Sequence, residues 1–283
     1  MSETAITIPA AQTSEAHAHA AAPRANERLR ALGWHLLPWL LPAVLLALWT
    51  IGCDRGWIAP QILPPPERVI DTLIELARSG GLTRNTLVSL QRVLVGFGAG
   101  ALAGFLLGAA LGLSRTLEAY VLPSFNAIVQ IPVLGWLPFL LLLIGVGEPL
   151  KYILIAHAAL VPVTLSTLQG FRQTPAALDE VARAFEYNPW QRIRYLVLPA
   201  AVPTLATGVR LAFTKAWLAL VVVELVASSE GLGYLIVYGR QLFQLDLVMA
   251  SVVIVGAIGL AINRLLDALE ARLRRGQPSA FRE

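Results

Sequence analysis

The sequence has little charge and almost no cysteine. Its one cysteine, Cys53, excludes an internal disulfide and a metal cluster built from several thiolates. Charged residues make up 14% of the 283 residues, against roughly 25% in soluble domains. A G-x-x-x-x-G-K-[ST] phosphate-binding loop is also missing from the sequence. These absences argue against a soluble enzyme and against a self-contained ATPase.

The residues that are present are mostly hydrophobic. They make up 56% of the chain, and the mean hydropathy is +0.65. Because apolar runs of about 20 residues can cross a bilayer as helices, this composition predicts an all-α membrane protein. Six spans are expected, at about residues 34–52, 88–113, 120–146, 150–168, 200–226 and 247–269. The net charge of +4 is modest, so we expect membrane lipid and no nucleic acid as a partner.

The segments outside these spans differ in character. Residues 1–32 are polar and rich in alanine, without the apolar core of a signal peptide, and are predicted to be a disordered tail. Residues 33–270 hold the predicted membrane domain, and residues 271–283 form a basic tail. After three consecutive prolines, apolar residues recur on one face of residues 67–78. This pattern predicts a helix that lies on the membrane surface.

Glycine recurs at every fourth position of the second predicted span. The repeat consists of Gly96, Gly100, Gly104, Gly108 and Gly112. Small residues at this spacing let two helices approach closely within lipid. The repeat therefore predicts a face of this span that packs against another helix.

Lysine and arginine are distributed unevenly over the predicted loops. With both termini in the cytoplasm, 13 lie on the inner side and 7 on the outer side, Arg92 and Lys151 among the outer ones. Inner loops of membrane proteins carry the excess of positive charge. The count favours cytoplasmic termini, and it places residues 174–199 in the cytoplasm.

Residues 174–199 form a charged segment between two apolar spans. Asp179 and Glu180 lie near the start of a predicted helix, where the helix dipole favours negative charge. Asn188 and Pro189 should end that helix, and a second one from Trp190 should end at Pro199. The segment is predicted to be a helix–turn–helix outside the membrane. A plain solvated loop is the alternative.

The spacing within this segment resembles the EAA motif of permease subunits of ATP-binding-cassette importers. The matching positions are Glu180, Ala182, Leu196, Leu198 and Pro199, whereas Glu186 stands where the motif has glycine. Shorter matches to the sulfonate, taurine and nitrate permeases cover most of residues 35–275. They include residues 62–64, Gly145-x-Gly147-Glu148, Gly208-x-Arg210, Asp246 and an outer loop with Gly231, Gly233 and Tyr234.

The resemblance implies an architecture, partners and a role. The fold would be that of a type I importer permease, and the segment with Asp179, Arg183 and Glu186 would be the coupling helix that docks on the ATPase. Two copies of the chain would assemble in the bacterial inner membrane with two ATPase subunits and a periplasmic binding protein. ATP and Mg would be bound by the ATPase, and this chain would hold no catalytic residue, cofactor or metal. The resemblance favours an aliphatic sulfonate as the solute, with taurine or nitrate as alternatives.

Four ionisable residues within the predicted spans are candidates for the translocation path: His157, Arg210, Lys215 and Glu224. Charges at membrane depth are costly and usually face a bundle interior or water. Glu224 is expected near the outer mouth. Arg210 has an alternative, in which it extends to the inner interface, and His157 has an alternative role in packing.

Two other classes of function remain open at the level of sequence. A secondary carrier or channel would move solute without ATP, but it would leave residues 174–199 without a role. An intramembrane hydrolase would need His157 as a base, although the sequence has no Gly-x-Ser-x-Gly nucleophile motif.

Overall fold

The computed structural model describes residues 25–174 and 176–275, and over these residues it is helical. Its first compact unit contains helix α1, Ala25–Asp54, and ends at Pro60. The second unit begins at Gln61 and contains the remaining helices. These are α2 (Pro66–Arg78), α3 (Gly81–Leu113), α4 (Arg115–Val129), α5 (Leu137–Ile144), α6 (Glu148–Arg172), α7 (Ala176–Ala184), α8 (Pro189–Arg192), α9 (Leu198–Ala227), α10 (Leu232–Gln241) and α11 (Leu245–Arg275).

The centre of the second unit is a row of three packed helices. Helix α6 lies between α3 and α9, while α10 and α11 pack on α9 and α2 packs on α11. The core between them includes Val93, Ile155 and Leu220, which are at most 1% exposed. In a water-soluble protein, burial of each of these branched side chains would contribute about 1.5–3 kcal/mol. Within lipid, close helix packing is instead the main source of stability.

The glycine repeat of α3 is that packing face, as the sequence predicts. A Cβ atom at Gly96 would lie 2.7 Å from Ile155, and one at Gly104 would lie 2.6 Å from the carbonyl oxygen of Leu160. A Cβ atom at Gly100 would overlap the backbone carbonyl of Ala156. Helix α6 therefore lies directly against the backbone of α3, and the prediction is confirmed.

Four described helices are long and apolar enough to cross a membrane: α3, α6, α9 and α11. A fifth span is present if α4 and the helical stretch Val133–Ile144 count as one broken span. In α1 the described apolar part, Leu40–Asp54, is a shorter helix. The structure thus supports a multi-pass helical membrane protein with four or five spans among the described residues, and the full set of six spans stays a prediction.

The predicted third span is broken rather than merely kinked. Helix α4 ends at Val129, a short 3₁₀ helix covers Val133–Trp136, and the axes on either side of the break differ by 83°. Pro132 lies at the break. The helix is interrupted there because proline has no N–H to donate and disfavours helical geometry at the preceding residue, Ile131. Pro123 is accommodated inside α4, and Pro138 lies in the first turn of α5, where a free N–H is not needed.

The boundaries of the tails also differ from the prediction. Helix α1 begins at Ala25, so residues 25–32 are helical and not disordered, in keeping with their alanine, glutamate, leucine and arginine content. At the other end α11 continues to Arg275, through the first residues of the predicted basic tail. Residues 1–24 and 276–283 lie outside the described residues.

The predicted surface helix coincides with α2. Val69 is buried, whereas Ile70 and Ile74 are 54% and 44% exposed. The Thr72 hydroxyl donates a hydrogen bond of 2.7 Å to the Asp246 carboxylate. This bond joins α2 to the first turn of α11. Asp246, one of the positions that carry the family resemblance, therefore has a structural role.

Candidate functional site

The charged segment after α6 folds as a helix, a tight turn and a second helix. Helix α7 ends with two backbone hydrogen bonds, from Glu186 N–H to the Arg183 carbonyl (3.0 Å) and from Tyr187 N–H to the Ala182 carbonyl (2.9 Å). This pair of bonds defines a Schellman motif, in which the residue after the C-cap adopts a left-handed conformation and is usually glycine. Here that residue is Glu186, with φ of 52°. The tight turn is retained although glycine is absent.

The second half of the segment does not end at Pro199. Asn188 caps α8 through a reciprocal pair of hydrogen bonds with Gln191, at 2.8 and 2.9 Å. A π-helical turn over Ile193–Val197 then leads directly into α9, so the predicted stop at Pro199 is wrong. Pro199 lies in the first turn of α9, where a missing N–H is tolerated. The turn before Pro199 is closed by a hydrogen bond from Leu198 N–H to the Ile193 carbonyl. This π-helical turn holds one residue more than an α-helical turn, and the helix continues through it into α9.

The residues of the EAA-like motif lie on both sides of this turn. Glu180 and Arg183 are exposed on α7, while Ala182 is only 4% exposed, and Leu196 is half-buried in the π-helical turn. Leu198 and Pro199 begin α9 and are both exposed. The side chain of Asp179 lies outside the described residues. Small Ala182 allows α7 to rest against the π-helical turn.

Four exposed aromatic residues surround the turn, and we call them the aromatic knuckle: Phe185 (73% exposed), Tyr187 (43%), Trp190 (67%) and Tyr195 (62%). The Tyr187 and Tyr195 rings meet edge to face with centroids 6.4 Å apart. The Arg194 guanidinium lies 5.9 Å from the centroid of the Tyr195 ring. Aromatic residues and arginine are enriched in protein interfaces. The predicted site did not include these rings, although four aromatics within eleven residues of a charged segment are a visible signal in the sequence.

A second polar site lies inside the helix bundle and joins α3, α6 and α9. Arg92 of α3 is 4% exposed and donates two hydrogen bonds to Glu148, at 2.8 and 2.5 Å, and one of 2.9 Å to Glu224. Lys151, also 4% exposed, donates to Glu148 at 2.7 Å. The site therefore contains two positive and two negative charges. Arg92, Lys151 and Glu224 are buried, whereas the Glu148 side chain is 47% exposed. We call these four residues the charge cluster.

The cluster also holds the loop that carries Gly231 and Gly233. Arg92 donates to the Glu230 carbonyl at 2.6 Å, and Gly233 N–H donates to Glu224 at 2.9 Å. Gly231 has φ of 113°, a conformation that side chains rarely adopt, and a Cβ atom there would overlap the Glu224 carboxylate. Tyr234 follows in α10 and packs on Tyr238, with ring centroids 5.6 Å apart. The loop sequence is thus explained by its close approach to Glu224.

These positions change the interpretation of three charges. Glu224 is 1% exposed and enclosed within its own chain. A residue that lines the mouth of a path would lie on an open surface, and Glu224 does not. Arg92 and Lys151 count as outer-loop charges in the predicted topology, but both side chains are buried in the cluster. The sequence did not reveal the roles of Arg92 and Glu224, because their partners lie on other helices. The spacing Glu148-x-x-Lys151 was the available signal, since residues three apart on a helix are neighbours.

The other predicted path residues are separated from one another. Arg210 on α9 pairs with two carboxylates of α11, Asp267 and, at 3.5 Å, Glu270. Lys215 is exposed on α9, one turn further along. His157 is half-buried on α6 and its ring packs edge to face on Trp136, with centroids 6.1 Å apart. Among the described residues, no three His, Cys, Asp or Glu side chains are placed to hold a metal ion.

Known proteins resemble this chain over most of its length. Residues 100–275 match the family described as "Binding-protein-dependent transport system inner membrane component". The protein named as an aliphatic sulfonates transport permease, SsuC, in Bacillus subtilis is 36% identical, over 92% of this chain and 94% of that protein. The taurine transport system permease protein TauC of Escherichia coli is 31% identical, over 82% of this chain and 86% of that protein.

A solved structure gives the same fold. A chain of the methionine ABC transporter MetNI, in an inward-facing conformation, aligns with a TM-score of 0.57 at 20% identity. The alignment covers 68% of this chain and 95% of that one. The helical bundle described above is thus an arrangement found in an ABC transporter. The family match and the identity to the permeases together establish that the chain belongs to the binding-protein-dependent transport system inner membrane components.

Proposed function

We propose that this chain is the membrane-spanning permease subunit of an ATP-driven importer. The observation that carries the proposal is the turn between α7 and α8, where the Glu-x-Ala motif meets an exposed aromatic surface. An exposed set of large aromatic side chains on a polar segment is costly in water and is typical of a protein interface. Sequence identity to transport permeases supports the same conclusion.

The aromatic knuckle is the proposed docking surface for the ATPase subunit. Residues 1–283 contain no phosphate-binding loop, which supports the proposal that a separate ATPase subunit supplies the energy of ATP. Closure of an ATPase dimer would draw the two knuckles together. Because the π-helical turn connects the knuckle to α9 without a break, that movement would be passed to the bundle and would alternate access to the two sides of the membrane.

The proposed solute is an aliphatic sulfonate, with taurine or nitrate as alternatives. The proposal follows the names of the relatives that match most of the chain, two of which are SsuC permeases of Bacillus subtilis and Escherichia coli. A periplasmic binding protein would deliver the solute, and the permease itself would perform no covalent chemistry. ATP and Mg would be bound by the ATPase.

We further propose six spans, with both termini in the cytoplasm and two copies of the chain in the assembly. Helix α1 and the broken pair of α4 and Val133–Ile144 would supply the spans beyond α3, α6, α9 and α11. Burial of Arg92 and Lys151 lowers the outer-loop count from 7 to 5 against 13 on the inner side. This stronger bias supports the same orientation.

Co-purification with the cognate ATPase tests the proposal. The variant is Phe185→Ala with Trp190→Ala, since both side chains are largely exposed and neither change should disturb the fold. Phe243→Ala is the matched control, because Phe243 is 92% exposed but lies between α10 and α11. We expect wild type and control to retain the ATPase in detergent, and the double variant to lose it.

Two results would contradict the proposal. In one, the double variant retains as much ATPase as the control, which removes the knuckle from the interface. In the other, the wild type purifies alone and moves ethanesulfonate into liposomes without ATP. That result would favour a secondary carrier.

A further inference from the structure

One face of α9 is left open within the chain. Leu211, Thr214, Lys215 and Leu218 are all exposed, and their spacing of three and four residues places them on one face of the helix. Their neighbours Ala212, Phe213, Ala216 and Trp217 are buried and pack against the rest of the bundle. We call the exposed set the α9 stripe.

Lys215 lies near the middle of the apolar length of α9. At a rise of about 1.5 Å per residue it is about 20 Å from Val202 and about 17 Å from Val226. Its ammonium group is therefore too far from either end to reach an interface easily. A charge facing lipid tails at that depth costs about 2.5–3.5 kcal/mol or more. The stripe must face water or another protein surface.

The positive charge of Lys215 is not offset within the described residues. Arg210 is paired with Asp267 and Glu270, and Arg92 is enclosed with Glu148 and Glu224. Lys215, by contrast, forms no ion pair with any residue in the part of the chain that the structure describes. A cation that is exposed and unneutralised at membrane depth is suited to bind an anion.

We propose that the α9 stripes of two copies of this chain face each other and that their Lys215 residues together bind the sulfonate group of the passing solute. This inference rests on the proposed function. The site is incomplete in one copy, because a single stripe is an open surface with one ammonium group. Between two copies, the ammonium groups repel each other and a bound anion offsets that repulsion.

The residues beside Lys215 fit an aliphatic sulfonate. A sulfonate has three oxygens that accept charge-assisted hydrogen bonds from two ammonium groups. Leu211 and Leu218 lie one turn on either side of Lys215 and offer apolar contacts to the alkyl group. The stripe thus combines one charged group with apolar surface, as expected for a small amphiphilic anion.

Thiol labelling tests whether the stripe faces water. Leu218→Cys, which lies on the stripe and leaves Lys215 in place, is introduced after Cys53→Ser, which removes the one native cysteine, and the transporter is reconstituted with its ATPase and binding protein. Leu102→Cys in the same background is the matched control, because Leu102 is 62% exposed on α3 and carries no neighbouring stripe of polar residues. The probe is 2-sulfonatoethyl methanethiosulfonate, which is charged and reacts with ionised thiols in water.

We expect the Leu218→Cys variant to be labelled at least about tenfold faster than the Leu102→Cys variant, and ethanesulfonate to slow labelling only at position 218. Equal slow labelling of the two variants would overturn the proposal, since the α9 stripe would then face lipid or a dry interface. Fast labelling of the Leu218→Cys variant without protection by ethanesulfonate would also overturn it, because the site would be wet but would bind no sulfonate.

Uptake of ethanesulfonate gives an independent test. We expect Lys215→Met to lower uptake about tenfold or more, since charged hydrogen bonds are lost, and Lys215→Arg to keep most of it. Both variants should retain the ATPase, so a loss of uptake through failed coupling is distinguishable from loss of the anion site. Unchanged uptake by Lys215→Met would overturn the inference and leave the proposed function intact. If Lys215→Met does not assemble, the protection of the Leu218→Cys variant by ethanesulfonate still decides the question.

Discussion

Arg92 of α3 donates a 2.9 Å hydrogen bond to Glu224 of α9, and both side chains are almost completely buried. The two residues are 132 positions apart in the sequence. Removing one partner of a buried ion pair leaves an unpaired charge, whereas removing both partners does not. In this cluster the remaining Glu148 and Lys151 would still balance each other. The buried charges should therefore respond to substitution as one unit.

A double-mutant cycle measures that coupling. We expect Arg92→Met and Glu224→Met each to lower the free energy of unfolding by about 3–5 kcal/mol. The double variant should lose clearly less than the sum of the two. Thermal unfolding in detergent provides the measurement. Additive losses would show that the two side chains act independently.

Gly231 should be sensitive to substitution because of the Glu224 carboxylate beside it. Gly231→Ala adds a Cβ atom that overlaps this carboxylate, in a backbone conformation with φ of 113°. We expect a loss of about 1–3 kcal/mol in stability. Gly56→Ala is the control, since Gly56 also has a positive φ, of 69°, but has open space around it. If both variants lose the same amount of stability, the effect comes from the backbone conformation alone and not from the Glu224 carboxylate.

The packing of α3 on α6 can be tested with two glycines of the same helix. Gly100→Ala would force α3 away from the Ala156 carbonyl, so we expect it to destabilise the protein by about 1–3 kcal/mol. Gly98→Ala meets nothing within 4 Å and should be neutral or slightly stabilising, because alanine favours helix. Thermal unfolding of both variants checks the difference. The assigned packing face is incorrect if Gly98→Ala is the more harmful change.

Glu186 occupies a left-handed position that glycine adopts at no steric cost. We expect Glu186→Gly to stabilise the turn by about 1 kcal/mol, and Glu186→Val to destabilise it by at least as much. Asn adopts this conformation more readily than glutamate, so Glu186→Asn should have a stability between wild type and Glu186→Gly. The midpoint of ATPase release in a detergent titration reports the change. A loss of binding in Glu186→Gly would show that the carboxylate itself contacts the ATPase.

Arg210 is expected to act through α11 rather than through the solute. Arg210→Asp places three acidic groups together and should destabilise the junction of α9 and α11. Adding Asp267→Arg restores the opposite charges and should recover part of the stability and the uptake. Thermal unfolding and ethanesulfonate uptake are measured together. If the exchanged pair is stable but transports nothing, Arg210 has a role in the path.

The helical membrane class, the positions of most long helices, the glycine face of α3 and the family follow from the amino-acid sequence alone. These features depend on local composition and on periodicity along one helix, such as the spacing of Gly96, Gly100 and Gly104. The position of the turn at Glu186 follows from the sequence as well, although its left-handed conformation does not.

The roles of the charges, by contrast, depend on how the helices pack. Arg92 and Lys151 resemble loop residues in sequence, and Glu224 resembles a residue at a helix end. Because α3, α6 and α9 pack side by side, Arg92 pairs with both Glu224 and Glu148, and Glu148 also pairs with Lys151. The break at Pro132 and the continuous helix through Pro199 also depend on the structure around each proline. A proline in the interior of a helix removes one hydrogen bond, and the surrounding backbone determines whether the helix breaks or continues through a wider turn.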